Sequence, residues 1–273
     1  MYREHAPPRR LTPFVECIWT TQGVLPPGAQ RPIRVLPDGC MDVLFNVGDP
    51  PLPEGCPHHR LRSYLVGAMP TATVVRVVGR VALVGVRFRP GGAQPFLRMP
   101  AHEARAGVVP LEDVWGPAGA EATERLAEAA GPGERAALLG RLLEVRLEDG
   151  DRPDGCVARS DAMIRRSWGA ARVTELAAAA GTTVRSLERR YAAGVGLTPK
   201  EAARVARFSR AVQGLSDTTL PLARVAVTCG YADQAHLSRE VRALAGITAM
   251  ALREERRAVA AVASVQDGDG RAA

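Results

Sequence analysis

The chain has 273 residues, of which 46% are apolar and 4% aromatic, with 27 glycines and 21 prolines. It is too apolar for intrinsic disorder, has no fibrous period, and is long enough for two domains. The net charge of +7 is unevenly placed: residues 1–158 hold 18 basic and 18 acidic side chains, whereas residues 159–257 hold 17 basic and 9 acidic. A neutral part followed by a basic part points to a polyanion-binding module joined to something else. No run approaches the ~18 apolar residues of a membrane span. The N-terminus, MYREHAPPRR, has no apolar stretch behind its charges, so neither membrane insertion nor secretion is expected. Cys17, Cys40, Cys56, Cys156 and Cys229 are odd in number and scattered. That argues against a disulfide framework or structural zinc and for a reducing cytoplasm. The chain has no GxxxxGK[ST], HExxH or GxSxG motif.

Residues 30–90 read as short strands. Met41–Val47 is apolar between turn residues, and Leu65–Ala68, Thr73–Val78 and Val81–Phe88 follow. The last two look like a hairpin across Gly79-Arg80, because both are rich in β-branched residues. Short strands with Gly/Pro turns predict a cupin-like barrel or a sandwich. In 120–148 the period changes. Leu138, Leu139, Leu142, Leu143 and Leu147 form the stripe of an amphipathic helix, for packing on its own barrel, for dimerisation, or for both. The polar, breaker-rich stretch Glu148–Gly155 predicts a linker. The expected class is α+β: a β-rich domain over 1–150, a linker over 151–158, an all-α domain over 159–257 and a flexible tail over 258–273.

The basic block contains a repeat. In one unit a short apolar helix around Leu176-Ala177 ends at Gly181, and a second helix carries Leu187 and Arg189. In the other, Val225-Ala226 leads to Gly230, then Leu237 and Arg239. This is the layout of a helix-turn-helix. Glycine takes positive φ at a helix end, alanine permits close helix crossing, and leucine plugs the core from the second helix. Thr183 suits the N-cap. The outward face is left to Arg185, Ser186 and Arg189 in the first unit, and to Gln234, His236, Ser238 and Arg239 in the second. These residue types suit base edges and phosphates. Between the units, Thr198-Pro199-Lys200-Glu201 is a capping box. Val205, Phe208, Val212 and Leu215 then mark one face of a joining helix. Two recognition helices reading one face of B-DNA should lie ~34 Å apart.

These residues resemble the DNA-binding domain of AraC/XylS-type transcriptional regulators over about 170–257. The most specific stretch is Ala226 to Arg239, supported by Arg185–Tyr191 and Gly196–Lys200. The resemblance implies two helix-turn-helix units reading successive major grooves. Arg185 and Arg189 would face bases in the first unit, and Gln234, Ala235, Ser238 and Arg239 in the second, while His236 and Ser186 contact phosphate or base. Val241, Ala249 and Leu252 depart from the usual pattern at core or helix-start positions. Val35–Phe45, Val86–Gly92 and Val109–Trp115 resemble the uncharacterised N-terminal domain of a subset of these regulators, which implies sensing or dimerisation. The implied partners are double-stranded DNA, a small-molecule effector, a second copy of the chain and RNA polymerase.

Asp38, Asp42 and Arg87 are candidate effector contacts. Asp38 and Asp42 flank a turn and a strand, where turn chemistry alone also explains them. Arg87 alternates with Val86 and Phe88 and either lines a barrel interior or faces water. Adjacent His58 and His59 have no third ligand near in sequence, so no metal and no cofactor is expected. Cys229, beside the turn glycine, reads as a small core residue. Two other readings compete with a specific regulator. A cupin-like metal-dependent enzyme needs a His/Glu cluster on neighbouring strands. A nucleoid-type binder needs basic residues spread without a repeat.

Overall fold

The computed structural model describes residues 1–49, 52–53, 61–97, 99–148, 152–217 and 219–268; for 52–53 and 259–268 the description is of the backbone alone. His58, His59 and Cys56 lie outside the described residues.

The strands in chain order are β1 (Tyr2–His5), β2 (Val15–Val24), β3 (Gln30–Val35), β4 (Met41–Asn46), β5 (Leu52–Pro53), β6 (Ser63–Val66), β7 (Thr73–Val78), β8 (Arg80–Phe88) and β9 (Val108–Pro110). They form two open antiparallel sheets, β1-β2-β8-β4-β6-β9 and β3-β7-β5. The N-terminal part is therefore β-rich as expected, but its sheets do not close into a barrel among the described residues. The predicted 73–88 hairpin is also not formed: β7 pairs with β3 and β5, whereas β8 pairs with β2 and β4. Gly79, at φ +52°, is a corner at which the chain leaves one sheet for the other. A Cβ there would lie 2.1 Å from the Asp49 carboxylate, which accepts from the Arg80 backbone N–H. Local turn signals cannot tell a hairpin from such a corner, because partner choice is decided by faces far apart in sequence.

The larger sheet has one apolar face, made by Met41, Val43 and Phe45 of β4 and by Ala82, Val84, Val86 and Phe88 of β8. Side chains alternate across a strand, so these residues share one side. Three helices cover that side: α1 (Leu111–Trp115), α2 (Pro117–Glu128) and α3 (Pro132–Arg146). The single helix expected over 120–148 is interrupted before Pro132, which opens α3 at its N-terminus. Leu139, Leu143 and Leu147 are buried, with Leu138 and Leu142 packed beside them, so the leucine stripe covers the chain's own sheet. The opposite sheet face carries a smaller cluster of Cys17, Trp19 and Leu44.

The C-terminal part is helical: α4 (Gly155–Ser167), α5 (Val173–Ala179), α6 (Val184–Val195), α7 (Pro199–Ser216), α8 (Leu222–Thr228), α9 (Gln234–Ala245) and α10 (Ala249–Gly268). α4 begins inside the segment read as a linker. The Asp154 side chain caps it, accepting from the Cys156 and Val157 N–H groups at 2.8 and 3.2 Å. α10 continues to Gly268, where a flexible tail is expected.

Two apolar cores result. One runs from the larger sheet through Phe96, Ala101 and Ala104 to Val157, Ile164, Leu176, Leu187, Tyr191, Val195 and Leu197. The other holds Phe208, Val212, Leu215, Val225, Leu237, Val241 and Leu252. The α5–α6 unit therefore shares its core with the β-rich region, and the α8–α9 unit has a core of its own.

Candidate nucleic-acid interface

The turn glycines, the Thr183 cap, the plugging leucines and the α7 capping box form as the sequence predicts, and Asp233 adds a second cap. Gly181 and Gly230 turn the chain at φ +66° and +80°. Neither would bring a Cβ within 4 Å of another group, so positive φ is the reason glycine is needed there. Thr183 Oγ1 accepts from the Ser186 N–H at 3.2 Å and opens α6. Asp233 plays the same part for α9, accepting from the His236 N–H at 2.6 Å. Leu187 and Leu237 are fully buried beneath their helices. Between the units, Thr198 and Glu201 complete the capping box of α7 in both directions. Val205, Phe208, Val212 and Leu215 are all buried along one face of that helix. Val241, Ala249 and Leu252, where the sequence departs from the usual pattern, are core residues, as is Cys229.

The outward faces of α6 and α9 carry exposed polar and cationic side chains. Arg185, Arg189 and Arg239 are exposed and have no hydrogen bond or ion pair among the described residues. Gln234 and Ala235 are exposed, and Ser186, His236 and Ser238 are half-buried. The His236 ring lies edge-on to Tyr231 at 5.2 Å, with Nδ1 accepting from the Ala232 N–H, and Ser238 Oγ donates to the Gln234 carbonyl at 2.8 Å. Ser238 is thus engaged within its own helix.

The arginines of α7 serve the scaffold. Arg204 grips Glu240 of α9 bidentately, at 2.7 and 3.0 Å. Arg207 donates to the Gly169 carbonyl at 2.6 Å, and the Arg210 guanidinium lies 5.6 Å from the Trp168 ring centre. Arg190 bonds Asp154 at 2.6 Å. That bond, with the N-cap hydrogen bonds, outweighs burial and holds the Asp154 carboxyl below its ordinary range. Arg190 of α6 and the arginines of α7 are thus engaged with a carboxylate, a carbonyl or a ring, whereas Arg185 and Arg189 of α6 and Arg239 of α9 have no such partner among the described residues.

Sequence reasoning did not single out Arg242. It lines an open groove of about 390 Å³ with Gln234, Ser238 and Arg239 of α9, Leu222 of α8, and Thr248 and Met250 at the start of α10. Thr248 Oγ1 accepts from the Ala251 N–H at 3.2 Å. Two arginines beside the N-terminus of a long helix favour an anion. The i, i+3 spacing from Arg239 to Arg242 was a signal available in the sequence.

The structure brings Asp38, Asp42 and Arg87 together. Asp42 on β4 stands opposite Arg87 on β8, and Arg87 Nε lies 3.4 Å from a carboxylate oxygen of each aspartate. Those contacts are close enough for charge attraction but are not aligned as hydrogen bonds at Nε or at Asp42 Oδ1. Burial pushes the Asp42 carboxyl up to about 6 against the pull of Arg87, and Asp38 adds to the rise. Trp19 lies beside them over Gly85, where a Cβ would sit 2.5 Å from the indole. The cluster lies on the sheet face away from the main core, and the Asp38 side chain also accepts from the Cys40 N–H at 2.9 Å, an ordinary Asx turn. No three His, Cys, Asp or Glu side chains are grouped to hold a metal among the described residues. None of the described helices is long and apolar enough to cross a membrane.

Comparison with known proteins agrees with the geometry of the helical part. Residues 176–255 match a helix-turn-helix domain family, and residues 3–110 match a domain of unknown function. No curated protein matches the chain. Among solved structures, the chain is similar to an AraC-type transcriptional regulator from Chromobacterium violaceum, with 22% identity over 37% of this chain and 91% of that one at a TM-score of 0.35. It is also similar to ToxT from Vibrio cholerae, with 8% identity over 82% of this chain and 97% of that one at a TM-score of 0.45. The two capped, glycine-turned units and the family match over them make the C-terminal part a helix-turn-helix domain, the architecture of a DNA-binding transcriptional regulator, joined to an N-terminal domain of unknown function.

Proposed function

We propose that the protein binds promoter DNA sequence-specifically by setting α6 and α9 into successive major grooves. The first unit contributes Arg185, Ser186 and Arg189, and the second Gln234, Ala235, His236, Ser238 and Arg239. The observation that carries this reading is that each recognition helix presents exposed arginines with no hydrogen bond or ion pair among the described residues, Arg185 and Arg189 on α6 and Arg239 on α9, whereas Arg190, Arg204 and Arg207 are engaged within the protein. An unpaired guanidinium can donate bidentately to guanine O6 and N7 or to a phosphate. The groove between α9 and α10 is the seat for a backbone phosphate, held by Arg242 with Arg239.

The β-rich part, over about 1–150, is the regulatory half in this reading, and 159–257 is the DNA-binding half. A small molecule taken up by the β-rich part, with Asp38, Asp42 and Arg87 as candidate contacts, would bias how the two units meet DNA. The setting is a reducing cytoplasm, in keeping with free thiols at Cys17, Cys40, Cys156 and Cys229. A homodimer and RNA polymerase are further expected partners, and the leucine stripe of α3 is already spent on the sheet.

The test is footprinting on the gene's own upstream region, followed by affinity across a salt series. Expected are two protected segments about one helical turn (~10 bp) apart, with tighter binding than to scrambled DNA. Equal affinity for scrambled DNA overturns sequence-specific reading.

A further inference from the structure

The two reading units are held to the β-rich part by different kinds of contact. The first is fused to it through the shared apolar core of Phe96, Ala101, Tyr191, Val195 and Leu197. Gln94 Nε2 also donates to the Ala193 carbonyl near the end of α6, at 2.9 Å. The second unit has its own core, which Leu36 touches from the β-rich side. Its remaining attachment is polar and falls at the corresponding end of its recognition helix. Arg34 on β3 donates from Nη1 to the Ala245 carbonyl at 2.9 Å and pairs through Nε with Glu255 of α10 at 3.1 Å. The Ala72 N–H, just before β7, donates to the Leu244 carbonyl at 2.6 Å.

We propose that Arg34 is a positioning residue: with Ala72 and Glu255 it forms a latch that sets the second recognition helix relative to the first. The last carbonyls of a helix have no partner within it and carry the negative end of its dipole. A guanidinium there makes a charge-assisted hydrogen bond and also holds a carboxylate of the next helix. Opening this contact exchanges polar bonds for bonds to water and uncovers Leu36, whereas separating the first unit would expose Phe96, Ala101, Tyr191, Val195 and Leu197 together. The molecule therefore yields at the second unit, and the first moves with the sheets. The latch is also tied to the aspartate–arginine cluster. Arg34 and Asp42 are joined by the turn through Asp38 and Gly39, whose Cβ position lies 4.0 Å from Val205 of α7. A change at the cluster thus reaches both the latch strand and the joining helix.

This inference rests on the DNA-binding reading above. The test is quantitative footprinting of Arg34→Ala, Glu255→Ala and Arg34→Lys on an operator with both half-sites. Arg189→Ala and Arg239→Ala identify which half-site each unit covers. The wild type should fill both half-sites over one concentration range. Arg34→Ala should need ~10-fold more protein at the second half-site and be within ~2-fold of wild type at the first, the loss of one charged hydrogen bond and its tethering. Glu255→Ala, on the surface, should shift the same half-site by ~3-fold. Arg34→Lys keeps a donor for Ala245 and should restore most of the preference. A parallel loss at both half-sites, or no change at either, overturns the latch. Amide hydrogen exchange decides the matter without DNA: residues 244–255 should exchange faster in Arg34→Ala, and the amides of α6 should not. Unchanged exchange at 244–255 overturns the latch, whereas changed exchange in a protein that does not discriminate DNA leaves the latch standing and removes the operator reading.

Discussion

Replacing Arg239 by alanine isolates one guanidinium whose loss disturbs nothing else. The side chain is exposed and makes no hydrogen bond or ion pair among the described residues. It follows the buried Leu237 by two positions and so points away from the core. Its truncation should therefore change folding stability by no more than ~0.5 kcal/mol. If Arg239 reads a guanine, operator binding should weaken by ~1–3 kcal/mol, with relaxed preference at one base pair. At ~1.4 kcal/mol per decade that is about 5- to 150-fold. If it contacts a phosphate instead, affinity for every sequence should fall together and the salt slope should drop by ~0.9. Fluorescence anisotropy on the footprinted operator and on single-base variants, from low to moderate salt, separates the two outcomes. Arg204→Ala is the control. It removes the bidentate grip on Glu240, so it should lower thermal stability and leave the salt slope unchanged. Wild-type affinity in Arg239→Ala, or a fall in melting temperature equal to that of Arg204→Ala, refutes the assignment of free and structural arginines.

Other outcomes follow from packing and titration. Gly169→Ala should destabilise the fold far more than Gly181→Ala, as read by thermal melting. A Cβ at Gly169 would lie 1.8 Å from the Ala203 carbonyl oxygen, whereas at Gly181 it meets nothing and only the positive φ opposes it, by ~1 kcal/mol. Phe208→Ala should remove ~3–5 kcal/mol from the second core, with faster hydrogen exchange in α8 and α9 while β4 and β8 keep their protection; uniform loss would contradict two separate cores. Burial raises Asp42 to about 6, so the folded chain binds more protons than the unfolded chain between the ordinary aspartate range and pH 6. The contribution of Asp42 to stability therefore falls as pH rises through that window, by up to ~3 kcal/mol. Stability of the wild type relative to Asp42→Asn, measured by denaturant unfolding from pH 4 to 7, should decline with pH, and a rise would reverse the assignment.

The helical half was readable in the sequence because its signals are local. Glycines at two turns, Thr183 at an N-cap, the Thr198–Glu201 box and the Val205–Leu215 stripe each act within a few residues of where they stand. The β-rich half was not, because pairing is decided at long range. Nothing beside Gly79 says that Thr73–Val78 joins β3, and β1 and β2, in the first 24 positions, lie outside the stretch whose turn signals read as strands. The same limit hid the shared core. Glu148–Gly155 has a linker's composition, yet Val157 just beyond it packs against Gly91. At the interface, residue types were readable, but which arginines are already engaged was not. Arg204 and Arg239 look alike on a helical wheel and differ by whether Glu240 stands opposite.

The apolar continuity from Phe96 to Leu197 bears on how such a chain can be cut and recombined. A fragment starting at residue 159 would leave Tyr191, Val195 and Leu197 facing water where Ala101 and Phe96 had been, and would be prone to cling to other molecules. Grafting this reading head onto a foreign sensor would need the 91–104 segment to travel with it, so the seam for exchange lies inside the N-terminal half and not at the breaker-rich stretch that resembles a joint.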